Sequence, residues 1–268
     1  LTTAQTIIVN TSNRLTGSNG DFTIELPIDR AAQYDHICLV RASIPKSYYL
    51  VQLNQNTFIL KEGLSEVIIT VPVGNYSYLS WMSTIPTLLN TASPNGWTYH
   101  ITYPDRLVQA DTGKFNFTVT GASTNPSFIF TTNLYERFGF NANSTNQFSG
   151  FSLTSQNVIN FSPETTLFLH TNIVNNKQDS IIQDIYDRNT PPMSNIVYEC
   201  SPAGFEAESK PLFQGTSSST STRFWLTDEN GVALNLNGRN ALYTLVFYKK
   251  NDFDKVIKQL IRERFLKS

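Results

Sequence analysis

Charged residues, cysteines and histidines are all scarce in this sequence of 268 residues, and each scarcity argues against a particular class of protein or site. Only 15% of the residues are charged, with 20 Lys and Arg against 21 Asp and Glu, whereas a soluble domain typically has about 25%. A nearly neutral chain gives no electrostatic reason for specific nucleic-acid binding. The two cysteines, Cys38 and Cys200, are too few for a disulfide framework. We therefore expect buried free thiols, which favours folding in a reducing compartment.

Recognisable catalytic and cofactor motifs are also missing. The histidines are His36, His100 and His170, and no two have the spacing of a metal site. The sequence contains no H-E-x-x-H, C-x-x-C, G-x-S-x-G or P-loop motif. Acids cluster at 184–187 and 228–229, but a helix face and a hairpin turn explain them better than paired catalytic carboxylates. The sequence therefore predicts a protein that is not an enzyme and uses no metal or cofactor.

Long apolar runs are absent as well. None approaches the roughly 20 residues of a membrane span. The first ten residues have neither the basic stretch nor the apolar core of a signal peptide. The sequence therefore contains no candidate membrane span, and these ten residues do not match a signal peptide.

Short stretches of alternating apolar and polar residues are abundant. Successive side chains of a strand point to opposite faces, so such a stretch buries one face and exposes the other to water. Turn sequences rich in Gly and Asn separate the stretches. The turn at residues 228–231 joins two such stretches and gives the best predicted hairpin. We predict about fourteen strands, at residues 6–9, 22–26, 36–43, 57–60, 67–71, 97–103, 115–120, 128–130, 158–161, 166–170, 196–199, 224–226, 233–236 and 241–248. This pattern indicates an all-β fold of antiparallel sheets in a sandwich.

Helical periodicity is confined to a few segments. Ser77 is a candidate N-cap for a helix over residues 78–90, and Pro86 should kink or shorten that helix. Its predicted apolar face consists of Leu79, Met82, Ile85 and Leu89. Two shorter helices are predicted, at 133–139, where Gly139 ends the helix, and at 180–187.

The clearest helical pattern lies at residues 252–267. Its apolar stripe consists of Phe253, Val256, Ile257, Leu260 and Ile261, and its charges match the helix dipole. The candidate partner-binding residues are cations within and just before this segment, namely Lys249, Lys250, Lys255, Lys258, Arg262 and Arg264. Such a helix docks in a partner groove, lies on a membrane surface, or packs as a solvated helix on its own sandwich.

Aromatic residues make up 12% of the chain and allow two interpretations. A carbohydrate site with aromatic faces that stack on sugars is one, and its candidate residues are Tyr48, Tyr49, Tyr76, Tyr78, Trp81, Trp97, Tyr99 and Tyr103. The other, which we favour, is that these residues fill the core and contact neighbouring subunits.

Several segments, by their order and spacing, resemble the minor capsid (penton, or vertex) protein of virophages and polinton-like viruses. They are Asn13-Arg14-Leu15-Thr16-Gly17, Ala42-Ser43-Ile44-Pro45-Lys46-Ser47-Tyr48-Tyr49, Gly74-Asn75-Tyr76-Ser77, Leu134-Tyr135-Glu136-Arg137-Phe138-Gly139-Phe140, Phe224-Trp225-Leu226-Thr227-Asp228-Glu229-Asn230-Gly231 and Leu236-Asn237-Gly238. The resemblance implies a jelly roll, which is two antiparallel sheets in Greek-key order. It also implies homopentamers at the vertices of an icosahedral virion assembled inside the host cell, with the major capsid protein as partner. It implies no catalytic site.

A minimal eight-stranded jelly roll needs about 100–150 residues. The surplus predicts long loops or a small inserted β subdomain, at no predicted position, within a sandwich over 1–250, and a C-terminal helix over 251–268. The alternative function is a β-sandwich carbohydrate- or receptor-binding module of a virion or secreted protein, which would contact a host surface glycan or receptor. Self-association distinguishes the two, because a vertex protein buries large lateral surfaces whereas a lectin keeps an aromatic pocket free.

Overall fold

The structure is a computed structural model that describes residues 4–29, 34–104, 110–162, 166–174, 180–187, 190–201, 205–212 and 221–250. The chain divides into two compact units. The jelly-roll unit comprises Leu1–Tyr48 and Glu164–Ser268, and the inserted unit comprises Tyr49–Pro163. Each unit has its own hydrophobic core. The extra length of the chain is therefore concentrated in one insertion between two strands of the jelly roll.

Strands dominate both units, with 44% of the described residues in strands and 12% in helices. In chain order the strands are β1 Ala4–Asn10, β2 Thr16–Gly17, β3 Asp21–Glu25, β4 His36–Pro45, β5 Thr57–Glu62, β6 Ser65–Thr70, β7 Thr98–Thr102, β8 Asn116–Thr120, β9 Ser127–Ile129, β10 Thr145–Gln147, β11 Ser152–Thr154, β12 Thr166–Thr171, β13 Ile181–Tyr186, β14 Asn195–Glu199, β15 Lys210–Pro211, β16 Ser221–Thr227 and β17 Leu242–Tyr248. The helices are α1 Tyr78–Ala92, α2 Leu134–Phe138 and α3 Phe205–Glu208, with a 3-10 turn at Thr11–Asn13.

Two antiparallel sheets form the jelly-roll unit. The first sheet has the strand order β1-β17-β4-β14, with β15 paired to β4, and the second has the order β13-β12-β16-β3-β2. When the eight longer strands are numbered along the chain, the sheets are ordered 1-8-3-6 and 2-7-4-5. That order is the double Greek key of a jelly roll. The predicted all-β jelly-roll sandwich is therefore confirmed.

The jelly-roll core follows from the alternation in the sequence. Phe22 of β3 and both Leu245 and Phe247 of β17 are buried, while their strand neighbours are more exposed. Phe22 stacks on Phe224 of β16 with the ring centroids 5.8 Å apart. Leu26, which the alternation also places inside, is only partly buried because β3 ends at Glu25.

The inserted unit consists of a sheet in the order β10-β9-β5-β6, a second in the order β11-β8-β7, and the helices α1 and α2. Phenylalanine rings fill its core. The ring of Phe138 lies 4.9 Å from that of Phe58, 5.7 Å from that of Phe117 and 5.0 Å from that of Phe130. Phe115, Phe117 and Val119 of the β8 region are all buried there, as the alternation predicts.

Helix α1 begins as predicted and ends later than predicted. The Ser77 hydroxyl accepts from the Ser80 N–H, and the Ser80 hydroxyl accepts in return from the Ser77 N–H, which is a capping box. The expectation that Pro86 kinks or shortens the helix is wrong in its second part, because α1 continues to Ala92. Proline removes one backbone donor, but its fixed φ suits a helix.

The apolar face of α1 is rotated relative to the predicted one. The residues buried on it are Trp81, Ile85 and Leu89. Leu79, which the sequence placed on the buried face, is 62% exposed. Trp81 is spaced by four residues from Ile85 and by eight from Leu89, so these three lie on one face, whereas Leu79 does not.

Three predicted elements are wrong in type. Residues 180–187 form no helix, because Ile181–Tyr186 is the strand β13, paired with β12. Residues 158–161 and 233–236 are not strands. The predicted hairpin turn does form, since the Asp228 N–H bonds the Val232 carbonyl at 3.0 Å and a single bridge joins Thr227 to Ala233. Beyond that bridge the chain still buries Leu234 and Leu236 in the jelly-roll core.

Gly139 ends α2 as predicted, in the left-handed conformation with a φ of 74°. A Cβ atom there would lie 2.5 Å from the carbonyl oxygen of Asn157, so both conformation and space require glycine. The predicted C-terminal helix over 251–268 lies outside the described residues. Of the helices that the structure describes, none is long and apolar enough to cross a membrane.

Candidate interaction surfaces

The structure describes only the first two of the candidate partner-binding cations. Lys249 and Lys250 are exposed and directly follow β17, and the Lys250 N–H donates to Asp35 Oδ1 at 2.8 Å. Next to them, the Tyr248 ring packs 5.1 Å from the Phe205 ring of α3, and its hydroxyl donates to Ser209 Oγ at 2.7 Å. Lys255, Lys258, Arg262 and Arg264 lie outside the described residues. The structure thus shows that the basic segment begins directly after β17.

The three histidines lie in three different structural environments. His36 Nδ1 is 2.8 Å from Asp35 Oδ1. The His170 ring stacks on Trp225, with centroids 5.1 Å apart, and its Nε2 lies 2.9 Å from Thr227 Oγ1. His100 is on the exposed side of β7. Across the described ranges, no group of three or more His, Cys, Asp or Glu side chains is arranged to hold a metal ion.

The clustered acids serve separate roles. Asp187 forms a buried ion pair with Lys46, whose Nζ lies 2.5 Å from Oδ2, while the Thr190 N–H donates to Oδ1 at 2.8 Å. Burial raises the pKa of Asp187, but the bonds from Lys46 and Thr190 outweigh that effect, so the pKa lies below its ordinary value. Asp228 is buried and accepts from the N–H groups of Asn230 and Val232, which builds its turn. These acids do not form the carboxylate pair of a glycosidase.

Half of the eight candidate sugar-stacking aromatics are buried in the cores. Tyr48, Trp81, Trp97 and Tyr99 are buried, and of the eight only Tyr49 and Tyr78 are exposed, at 38% and 39%. The Tyr99 hydroxyl donates to the buried carboxylate of Glu62 at 2.8 Å. The favoured interpretation of these residues as core therefore holds for the four buried ones, and the structure does not assemble the eight into a surface site.

Both cysteines are free. Cys38 of β4 is fully buried and Cys200, just after β14, is half-buried. Burial raises the pKa of the Cys38 thiol to about 12, and it also raises the pKa of Cys200. Raised values keep both thiols protonated near neutral pH, which makes them poor nucleophiles.

The outer side of the first sheet carries a surface that the sequence did not single out. Cross-strand pairing aligns two rows of outward side chains there. One row is Asn10, Leu242, Ser43 and Val197, and the other is Ile8, Thr244, Arg41 and Glu199. We call these eight residues the open strand face.

The open strand face exposes apolar groups and carries little net charge. Ile8 is 67% exposed and Val197 is 56% exposed. Its two charged members neutralise each other, since Arg41 Nε lies 3.5 Å from Glu199 Oε1. Uncharged side chains cost less to bury than charged ones, and a paired charge costs less than an isolated one, so this face suits contact with another protein. The alternation in β1 and β14 was the available signal, but the pattern alone does not say which outward residues share a surface.

A groove lies where β13 and β14 end their respective sheets. It encloses about 620 Å³, and its lining includes Asp184, Tyr186, Val197, Tyr198, Glu199 and Glu208. Tyr186 is 62% exposed, and the Tyr198 hydroxyl bonds the Glu208 carboxylate of α3. We call this site the edge groove. It combines carboxylates with exposed apolar surface.

The sequence matches no protein-family model and no curated protein. Among solved structures, the chain is similar to the selenomethionine-labelled penton protein of mavirus. That similarity covers 91% of this chain and 99% of that chain, with a TM-score of 0.43 and 10% sequence identity.

Proposed function

We propose that this protein is a structural subunit of a viral capsid, and more specifically a penton that forms homopentamers at the vertices of an icosahedral shell. On this proposal its partners are identical copies and the major capsid protein, and its location is the virion. It performs no catalysis and takes no cofactor.

The observation that carries the proposal is the jelly-roll topology combined with an open strand face of low net charge. Jelly rolls serve both as capsid proteins and as lectins, and a fold alone does not decide function. The resemblance of several sequence segments to virophage pentons favours the capsid. The burial of Tyr48, Trp81, Trp97 and Tyr99 weakens the lectin alternative, because core aromatics cannot stack on a sugar.

A ring of copies needs heterologous contacts, in which one surface of a subunit meets a different surface of the next. The open strand face supplies one of these surfaces on our proposal. Ile8 of β1 and Leu242 of β17 lie on neighbouring strands of this face and are exposed, at 67% and 38%. A charge placed at either position would have to be desolvated on assembly, at a cost of several kcal/mol without a partner.

The test is the mass and symmetry of the purified protein by mass photometry and negative-stain class averages, over a range of protein concentrations. We expect five-fold rings, and we expect Ile8→Arg and Leu242→Arg to abolish them. The matched control is Leu64→Arg on the turn between β5 and β6, where Leu64 is fully exposed. Rings of three or six subunits, a monomer at every concentration, or rings that survive both substitutions would contradict the proposal.

A further inference from the structure

We propose that the edge groove is the docking site of this protein's own basic C-terminal segment, residues 251–268. The inference goes beyond the capsid proposal and does not depend on it, because docking can be measured in the free protein whether or not rings form.

Charge complementarity is the first reason. The groove presents the carboxylates of Asp184, Glu199 and Glu208. Arg41 offsets part of this charge through its exposed pair with Glu199 at 3.5 Å. Asp184 accepts only from the neutral amide of Gln183, at 3.2 Å, among the bonds that the structure records for it. Residues 251–268 contain five Lys and Arg against three Asp and Glu, and Lys249 and Lys250 directly precede them, so the segment has the opposite sign.

Apolar complementarity is the second reason. Tyr186 and Val197 leave large exposed surfaces at the groove, at 62% and 56%. In the described sheets, β13 pairs only with β12 and β14 only with β4, so each leaves one strand edge open. Open edges with apolar side chains are normally covered in stable proteins. The segment carries the matching stripe that Val256, Ile257, Leu260 and Ile261 form at helical spacing.

The path of the chain is the third reason. The described chain ends at Lys250, which is held to Asp35, and Tyr248 is held to Ser209, the neighbour of the groove residue Glu208. Eighteen residues follow. They span about 27 Å as a helix and about 60 Å when extended, so the segment starts beside one side of the groove with ample length to fill it.

Carbodiimide cross-linking of the full-length protein tests where the segment lies, because the reagent activates a carboxylate, which then forms an amide with the amino group of a lysine that contacts it. We expect peptides in which Lys255 or Lys258 is joined to Asp184 or Glu199. Glu25 and Glu229 are exposed acids of the same unit that do not line the groove, and they should give no such products. Mixing copies labelled with nitrogen-14 and nitrogen-15 shows whether the groove is filled by its own chain or by a second copy, and either result supports the site.

Hydrogen–deuterium exchange of the full-length protein tests how strongly the segment docks in the edge groove. The double variant Asp184→Asn/Glu199→Gln should lower the protection of amides in 251–268 about tenfold, equivalent to ~1.4 kcal/mol. The control Glu25→Gln/Glu229→Gln removes the same charge and should leave protection unchanged. Cross-links that favour Glu25 or Glu229, or protection that both double variants change equally, would overturn the proposal. Absence of any protection in the unmodified protein would overturn it as well.

Discussion

At the scale of single residues, buried polar groups differ in whether they have partners, and stability should follow that difference. The hydroxyl of Tyr243, in the jelly-roll core, has no hydrogen-bond partner among the described residues. The hydroxyl of Tyr99, in the other core, donates to Glu62. Removing an unpaired buried hydroxyl relieves a desolvation cost, whereas removing a paired one leaves its acceptor with one bond fewer.

We therefore expect Tyr243→Phe to raise the free energy of unfolding by about 1 kcal/mol and Tyr99→Phe to lower it by a similar amount. Chemical denaturation of the two variants beside the unmodified protein measures both. The two substitutions remove the same atom from equally buried rings, so each is the control for the other. Equal destabilisation by both would contradict the proposed role of the hydrogen bond.

The Lys46–Asp187 pair predicts a pH dependence. The side chains of Lys46 and Asp187 are only 8% and 3% exposed, and Asp187→Asn leaves the ammonium buried and uncompensated. We expect that variant to lose about 3 kcal/mol of stability at neutral pH. Glu66→Gln is the control, because Glu66 pairs with Lys61 in a solvent-exposed bridge and should change stability by less than about 1 kcal/mol.

The sign of the pH effect follows from the lowered pKa of Asp187. A carboxyl whose folded pKa lies below its unfolded value stabilises the protein above the unfolded pKa of about 3.9, and that contribution is lost as the pH falls through the folded pKa. The stability difference between the unmodified protein and Asp187→Asn should therefore be constant from about pH 5 to 7 and shrink below about pH 4. Denaturation curves at several pH values measure it. A difference that grows on acidification would show that the pair has another role.

At the scale of elements, helix α1 shows that the face predicted from sequence periodicity differs from the face that is buried. Leu79 and Leu89 both belong to the face that the sequence predicts, but only Leu89 is fully buried. We expect Leu89→Ala to cost about 2–5 kcal/mol, because it leaves a cavity in the inserted unit. Leu79→Ala should be close to neutral, since its side chain stays largely in water. Thermal unfolding of the two variants measures the contrast, and similar losses of melting temperature would contradict the observed orientation of α1.

The elements that sequence reasoning missed lack a local pattern that identifies them, for one of two physical reasons. Strand β13 contains Ile181, Ile182 and Ile185, a spacing that fits a helix, and pairing with β12 decides its conformation instead. Strands β2, β10, β11 and β15 are two or three residues long, too short to show a period. Long alternating stretches such as those that form β3, β8 and β17 were predictable, because one buried face imposes the pattern on each of them locally.

At the scale of the whole molecule, alternation predicted an all-β sandwich, but the position of the insertion could not be read from it. Which strands pair is a non-local property, and β4 and β12 belong to different sheets on either side of Tyr49–Pro163. The interaction surfaces show the same limit. The cations Lys249 and Lys250 were identifiable from charge alone, whereas the open strand face joins residues as distant in sequence as Ile8, Val197 and Leu242, which only the register brings together.

The two cores predict two separate unfolding events. Every buried residue of the inserted-unit core lies between Val51 and Phe148, and that unit contains its own sheets and α1. A unit with a complete core of this size can fold alone. We therefore expect a fragment of residues 49–163 to unfold cooperatively, with β-rich circular dichroism and dispersed amide resonances.

In the full-length protein, calorimetry should then show two transitions. Leu89→Ala should lower only the melting temperature that matches the isolated fragment, because Leu89 belongs to the core of the inserted unit. Leu245→Ala should lower only the other, because Leu245 belongs to the core of the jelly-roll unit. The two cores have no buried residue in common, so a substitution in one core should affect the stability of its own unit alone. A single transition that both substitutions shift, together with an unfolded 49–163 fragment, would show that the inserted unit depends on the jelly roll for its fold.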